Sequence, residues 1–182
     1  MRRSFRLLAA PMAALLLLTG CAQGGGSETF AFHSPGGKTE IFYDQAERKP
    51  VEDFSGESLM EPGEEIRLSD FEGQIVVLNA WGQWCAPCRA EIDDLQEAHE
   101  ELERRGTGTV LGINVRDYQP EISRDFISDN HATYPSIYDP PFKTASFLGG
   151  VPSSVIPTTI VLDAQHRPCL LYTSDAADEG LG

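Results

Sequence analysis

Apolar residues follow two different spacings in the central part of the chain. Three short runs are almost continuously apolar and rich in β-branched residues, as is typical of buried strands; they lie at residues 75–80, 109–115 and 158–162. Between these runs apolar residues recur at helical spacing, which predicts helices at residues 85–104 and 121–129. The alternation of strands and helices predicts an α/β domain, with helices covering a parallel sheet.

Shorter apolar stretches flank this pattern. Phe30 and Phe32 are separated from Ile41 and Tyr43 by Pro35-Gly36-Gly37, which predicts an N-terminal hairpin. Glu61-Pro62-Gly63 predicts the turn of a second hairpin, whose strands would lie at residues 58–60 and 66–68. A further short strand and a helical turn are expected at residues 135–139 and 143–148.

The first twenty residues have the pattern of an export signal. Three arginines precede an apolar run at residues 7–18, and this run is too short to cross a bilayer. A basic segment followed by a short apolar run is typical of a signal peptide, which we assign to residues 1–20. This part of the chain is therefore excluded from the fold.

The apolar run ends in a candidate lipidation site. Leu18-Thr19-Gly20-Cys21 resembles a bacterial lipobox, which implies cleavage before Cys21 and a diacylglycerol on its sulfur. The alternative is an ordinary secretory signal with a chance cysteine. We expect an extracytoplasmic protein anchored to the cell membrane, with a lipidated cysteine, a flexible tether and an N-terminal extension over residues 21–50.

The net charge of the chain restricts the classes of partner that it can bind. The net charge is −14, and because residues 1–20 contain three arginines and no acid, it falls to −17 without them. Phosphate contacts require lysine and arginine, so this balance argues against a nucleic acid partner.

Cys85 and Cys88 are the candidate reactive residues. Cys85 is expected where a strand ends and a helix begins, a position that favours a thiolate. A helix terminus supplies about 0.3–1 kcal/mol. Bringing the pKa of a thiol to neutrality takes roughly 2 kcal/mol, so the second thiol and local donors must supply the rest. Trp81 and Trp84 would form an apolar collar around the pair; packing in the core is the alternative for each, and it is the expectation for Trp81.

Three other roles are possible alternatives for the Cys85–Cys88 pair. A structural disulfide across so short a loop would stabilise little, because it removes little chain entropy. A metal-binding module, such as a copper chaperone, is the alternative function, but structural zinc requires four ligands and the four histidines are scattered. A peroxidase of related fold would need a threonine–cysteine setting that the chain lacks. We expect no metal and no cofactor.

Two segments carry a resemblance to a known family. The stretches "VVLNAWGQWCAPCRAEI" and "GVPSSVIPTTIVLD" resemble the TlpA/ResA group of extracytoplasmic thioredoxin-like thiol–disulfide oxidoreductases, which includes cytochrome c maturation proteins. The resemblance covers residues 51–163 approximately. It implies a thioredoxin-like fold, with a central mixed sheet flanked by helices.

The resemblance also implies roles for individual residues. Cys85 matches the exposed nucleophile and Cys88 its buried partner. Pro157 matches a cis-proline that faces the dithiol, and Ile156 would present its backbone to the substrate chain, with Trp84 alongside. Glu91 matches an acidic residue that tunes the pair, although a solvated helix glutamate is the alternative.

One position departs from cytosolic thioredoxin. Asn79 stands where that protein has a buried aspartate, so proton transfer would fall to Glu91 or to water.

The family further implies partners and a direction of electron flow. Its members mostly act as reductants fed by a membrane electron donor. We therefore expect a membrane-anchored reductase of disulfides in exported proteins, with apocytochrome c as the leading candidate substrate.

The last residues have a separate interpretation. "CLLYTSDAADE" is similar to the translated adapter of a transposase-based sequencing library. We interpret residues 169–182 as a non-native tail and residues 51–168 as the thioredoxin-like domain. A terminal strand and helix are then expected to be missing.

Overall fold

The computed structural model describes residues 29–33 and 38–173. Its strands are β1 (Glu40–Phe42), β2 (Ser55–Glu57), β3 (Glu65–Arg67), β4 (Ile75–Trp81), β5 (Gly108–Asn114), β6 (Ser136–Tyr138), β7 (Thr158–Leu162) and β8 (Pro168–Thr173). Six of them form one sheet in the order β1-β8-β7-β4-β5-β6. β4, β5 and β6 are parallel, whereas β7 is antiparallel to β4, and β8 is antiparallel to β7 and β1. The sheet is therefore mixed, as the resemblance implied.

The helices follow the predicted order with one difference. They are α1 (Ala86–Ala90), α2 (Ile92–Arg105) and α3 (Pro120–Asp129). Two short 3₁₀ helices lie elsewhere in the chain, at Leu68–Phe71 and Lys143–Ser146. One continuous helix was expected from residue 85 to residue 104, but α1 and α2 are separated at Glu91. Gly106 ends α2 in the left-handed conformation (φ 65°), as expected for a glycine stop.

Both faces of the sheet are buried, which explains the continuous apolar runs. On one face, Leu78 and Leu111 pack in a cluster with Ile160 and Leu148. On the other, Val110 and Trp81 pack against residues of α2 and α3 together with both cysteines of the pair. Successive residues of a strand point to opposite faces, so a strand covered on both sides needs apolar residues at nearly every position.

The N-terminal hairpin is not formed as predicted. β1 pairs with β8 at the edge of the main sheet, with Ile41 opposite Leu171. The Phe30 N–H donates instead to the Pro50 carbonyl (2.7 Å), and the Phe32 N–H to the Gly149 carbonyl (2.9 Å). The expected turn at residues 34–37 lies outside the described residues. The second hairpin is confirmed as β2 and β3, which pair antiparallel slightly before the predicted strands.

The end of the sheet lies beyond the expected domain boundary. β8 includes residues 169–173, which we had assigned to a non-native tail, and it pairs with β7 across Ile160 and Leu171. A strand was expected to be missing here, whereas the structure has one. The non-native origin of residues 169–182 stays a prediction.

The N-terminal assignments are not described by the structure. The signal peptide, Cys21 and the tether lie outside the described residues. Within residues 29–33 and 38–173, no helix combines the length and apolar character needed to span a membrane.

Candidate active site

The Cys85–Cys88 pair lies where β4 leads into α1. Cys85 is the N-cap residue of α1, with extended backbone angles (φ −87°, ψ 115°). Its Sγ accepts a hydrogen bond from the backbone N–H of Cys88 at 3.2 Å. Pro87 occupies the first turn, where its missing N–H leaves no helical hydrogen bond unmade. The free N–H groups of this terminus favour negative charge on Cys85 Sγ.

The two cysteines are bonded to each other and buried. They form a disulfide with Cα atoms 5.3 Å apart, a separation usual for disulfides. Cys88 is 3% exposed, as expected, but Cys85 is only 4% exposed. The family resemblance had implied an exposed Cys85. The structure differs because Cys85 belongs to the same apolar cluster as Trp81 and Ile92, with Ile156 packed against it.

The segment before β7 faces the disulfide. The Ile156–Pro157 peptide bond is cis, as the resemblance implied. The Ile156 carbonyl oxygen lies 3.8 Å from Cys85 Sγ. The backbone of Ile156 therefore lies beside this sulfur. The roles of Ile156 and Pro157 in substrate binding stay predictions.

A buried amide on β4 is hydrogen-bonded to a carboxyl group at the junction of α1 and α2. The Asn79 side chain, which is 0% exposed, donates to Glu91 Oε1 at 2.8 Å and to Thr159 Oγ1 at 3.1 Å. Burial raises the pKa of Glu91 above its usual value, the Asn79 hydrogen bond opposes this, and the charge of Asp94 adds to it. Glu91 is thus not the solvated helix glutamate of the alternative interpretation. It is a partly buried carboxyl group that holds a proton more readily than an exposed one.

The two tryptophans have different environments. Trp81 is buried in the core, whereas Trp84 is 42% exposed. The Trp84 indole N–H donates to the Val115 carbonyl at 3.1 Å, and the Arg116 guanidinium carbon lies 5.8 Å from the Trp84 ring centroid. Trp84 therefore lies at the surface and not in the core, and its place in a collar around the pair stays a prediction.

A buried carboxylate beside the motif was not predicted from the sequence. Asp117 Oδ2 accepts hydrogen bonds from the Gln83 backbone N–H (3.0 Å), the Asn114 side-chain amide (2.8 Å) and the Ser123 hydroxyl (2.9 Å). Gln83 lies two residues before Cys85, so Asp117 holds the connection that leads from β4 into the pair. A weak signal was present, since Asn114 ends a buried strand and Asp117 follows three residues later.

The histidines do not gather around the cysteines. Within residues 29–33 and 38–173, no three His, Cys, Asp or Glu side chains are close enough together to hold a metal ion. His99 is buried on α2, where its Nδ1 lies 3.2 Å from the Thr109 hydroxyl and its Nε2 lies 3.5 Å from a Glu103 carboxylate oxygen. His99 therefore has a structural environment on the inner side of the helix.

A pair of cysteines that can alternate between a dithiol and a disulfide exchanges electrons with other disulfides. Held at a strand–helix junction and next to a cis-proline peptide bond, the pair has the arrangement of the thioredoxin-like thiol–disulfide oxidoreductases. The model of the AhpC/TSA family matches residues 48–167, and the chain belongs to that family.

Curated relatives and solved structures agree with this class. The thiol-disulfide oxidoreductase ResA of Geobacillus kaustophilus is 31% identical over 120 residues, which cover 65% of this chain and 66% of that protein. ResA of Geobacillus thermodenitrificans is 28% identical over 119 residues and is also covered to 66%. The match thus spans slightly less than two thirds of the length of these relatives.

The solved structures are more similar in sequence. A secreted thiol-disulfide isomerase from Corynebacterium glutamicum is 67% identical, with a TM-score of 0.78 over 79% of this chain and 87% of that one. A DsbF homologue from Corynebacterium diphtheriae is 62% identical, with a TM-score of 0.77 over 83% of this chain and 94% of that one. The ResA resemblance inferred from the sequence is confirmed.

Proposed function

We propose that the protein exchanges thiols and disulfides with exported proteins at the outer face of the cell membrane, with Cys85 as the attacking sulfur. The observation that carries this proposal is the position of Cys85 at the start of α1, with its Sγ 3.8 Å from the Ile156 carbonyl oxygen. The sulfur thereby meets both the N–H groups that stabilise a thiolate and the backbone edge along which a substrate chain can lie.

The proposed reaction has two steps. The Cys85 thiolate attacks one sulfur of a substrate disulfide, which forms a mixed disulfide and releases the other substrate sulfur as a thiolate. Cys88 then attacks Cys85, which forms the Cys85–Cys88 disulfide and releases the second substrate sulfur. The substrate gains two electrons and two protons, and the protein loses the same. A membrane electron donor restores the dithiol.

Glu91 is the proposed acceptor of the Cys88 proton. It follows Cys88 by three residues, and its carboxyl group is partly buried with a raised pKa. Asn79 donates a hydrogen bond to Glu91 but has no titratable proton. Glu91 therefore acts as the proton acceptor, the function that an aspartate at residue 79 would otherwise have.

Reduction is the proposed direction, and apocytochrome c the proposed substrate. The ResA relatives support this choice through the TlpA/ResA resemblance, whose members supply electrons outside the cytosol. A second candidate is disulfide isomerisation or formation. It is favoured by the two structures above 60% identity, which are named a secreted thiol-disulfide isomerase and a DsbF homologue.

Membrane attachment is proposed from the sequence. The lipobox-like tetrad ending at Cys21 supports a lipid anchor, and the short tether after it would keep the domain close to the membrane. The secreted relative from Corynebacterium glutamicum supports an extracytoplasmic location.

The attacking sulfur is tested by serine substitutions. Cys85→Ser is expected to abolish the reduction of insulin disulfides, and Cys88→Ser to accumulate a mixed disulfide with substrate in the native host. Cys169→Ser removes a thiol that is free in the structure and serves as the matched control. Undiminished insulin reduction by Cys85→Ser refutes the assignment of the nucleophile.

The direction is tested with the wild-type protein. Reduction potentials and rates are measured with an oxidised apocytochrome peptide and with a reduced, disulfide-forming peptide. Faster oxidation of the reduced peptide, with an oxidising potential, favours the second candidate over the first. The proteins trapped by Cys88→Ser identify the natural substrates.

A further inference from the structure

The loop between β5 and α3 contacts both segments that border Cys85. On one side, Val115 accepts a hydrogen bond from the Trp84 indole (3.1 Å) and the Arg116 guanidinium lies over the Trp84 ring, 5.8 Å from its centroid. On the other side, Arg116 donates a hydrogen bond to the Ser153 carbonyl. Ser153 precedes Ile156, whose carbonyl oxygen faces Cys85 Sγ. The Arg116 side chain thus connects the two segments between which a substrate must enter.

The backbone of Arg116 has an unusual conformation. Its φ angle is +57°, in the left-handed region that non-glycine residues seldom adopt. Its N–H donates to the Pro140 carbonyl at 2.9 Å, and the neighbouring Val115 N–H donates to the Trp81 carbonyl at 2.8 Å. These bonds fix the turn that directs the Arg116 side chain across Trp84. Conformations of this kind persist where the surroundings impose them, and they are frequent at binding sites.

We propose that Arg116 is a positioning residue that determines how polypeptide substrates bind beside Cys85. It holds the exposed Trp84 ring and the Ser153 segment in fixed positions, so the substrate meets a preformed surface. A surface that is ordered before binding avoids the loss of side-chain and loop freedom on association. Arg116 has no part in the sulfur chemistry. This inference rests on the proposed exchange reaction, because its effect is read on polypeptide substrates.

The proposal predicts a separation between large and small substrates. Arg116→Ala is expected to raise the KM for insulin about fivefold, since a cation–π contact and one hydrogen bond are lost. Most of the effect falls on KM because the sulfurs keep their environment. The rate with glutathione disulfide, which is too small to contact both segments, is expected to stay within about twofold. Arg105→Ala removes the same charge at the exposed end of α2 and is the control.

A second readout does not depend on activity. The chain has two tryptophans, and Trp81 is buried, so acrylamide quenching of the oxidised protein reports mainly on Trp84. Release of the indole from Arg116 is expected to increase the quenching constant. Arg116→Gly provides a second variant that accepts the left-handed backbone without strain. Equal effects of Ala and Gly assign the result to the lost side chain.

The KM and quenching measurements test the role of Arg116 independently of whether the proposed thiol–disulfide exchange is correct. Unchanged KM and unchanged quenching in both variants overturn it. A raised KM without a change in quenching also overturns it, because Arg116 would then contact the substrate and not position Trp84. If the wild-type protein reduces no insulin, KM is measured for the oxidation of a reduced peptide. The quenching comparison stays decisive whichever direction the protein supports.

Discussion

The substitution Asn79→Asp tests whether the hydrogen bond from the buried Asn79 amide stabilises the Glu91 carboxyl group beside β4. Asn79 donates to Glu91 Oε1 at 2.8 Å from a fully buried position. An aspartate there has no N–H to donate, so two carboxyl groups would face each other at hydrogen-bond distance. Two carboxylates in one desolvated site repel each other strongly, so the pKa of one of them rises and double ionisation is disfavoured. Aspartate at residue 79 would therefore share a single proton with Glu91.

The expected loss of stability follows from two limits. If both groups ionise, a buried hydrogen bond to a charged group is lost, which costs about 1.5–3 kcal/mol before repulsion is counted. If one proton is retained at pH 7, an aspartyl group must stay protonated about three pH units above its usual pKa, which costs about 4 kcal/mol. We expect Asn79→Asp to lower the free energy of unfolding by about 2–4 kcal/mol at pH 7.

The free energy of unfolding of the Asn79→Asp variant should depend on pH with a definite sign. The folded variant keeps a proton that the unfolded chain releases above about pH 4, so the free energy of unfolding falls as pH rises. The difference from wild type should be small near pH 4 and grow by up to about 1.4 kcal/mol per pH unit until the folded-state pKa is reached. In the wild-type protein Glu91 should contribute a weaker trend of the same sign, because burial raises the pKa of Glu91.

The assay is urea denaturation at pH 4, 5.5 and 7, with Glu91→Gln and the double variant measured alongside. In the double variant the amide lies at residue 91 and the carboxylate at residue 79, so donor and acceptor are exchanged. The double variant should lose about 2 kcal/mol less free energy of unfolding than the sum of the losses in the two single variants. Additive losses, or a pH slope equal to that of wild type, would refute the reasoning.

Three further substitutions test other parts of the site and fold. Glu91→Gln should slow insulin reduction about tenfold or more at pH 7 and flatten its dependence on pH, since the proposed proton acceptor is lost; unchanged pH profiles contradict this role. Asp117→Ala should lower the free energy of unfolding by about 2–4 kcal/mol in urea, because it leaves the Gln83 N–H and two side-chain donors without their acceptor. Gly108→Ala should cost about 1–3 kcal/mol in the same assay, since its Cβ would lie 2.1 Å from the Ile75 carbonyl oxygen; wild-type stability would show that β5 can move.

Local sequence patterns predicted most of the elements because those elements are buried or end at turn residues. β4, β5 and β7 contain apolar runs and are buried or partly buried at every position, and Gly106 ends α2 where a glycine stop was expected. The break between α1 and α2 could not be predicted in this way. At that break Glu91 receives a hydrogen bond from Asn79, twelve residues earlier on another element, and helical periodicity contains no record of such a contact.

The N-terminal extension illustrates the same limit at the edge of the sheet. A Pro-Gly-Gly sequence predicts a local turn, and the hairpin followed from it. In the structure Ile41 instead lies opposite Leu171, 130 residues away. An edge strand has free backbone N–H and C=O groups that any extended segment can satisfy, so its partner is chosen by the packing of the whole domain.

The reacting sulfurs and the residues that position them differ in how they can be recognised. A dithiol requires two cysteines one helical turn apart, so the chemistry itself restricts the residue types, and Cys85 and Cys88 can be read from the sequence. Arg116 and Asp117 lie in a polar loop that resembles any solvated connection, and what distinguishes them is the position of their partners. A carboxylate that accepts three hydrogen bonds and an arginine across an indole are defined by contacts between elements. Changes in substrate preference among proteins with this motif are therefore expected in such loops, where substitutions leave the sulfur chemistry intact.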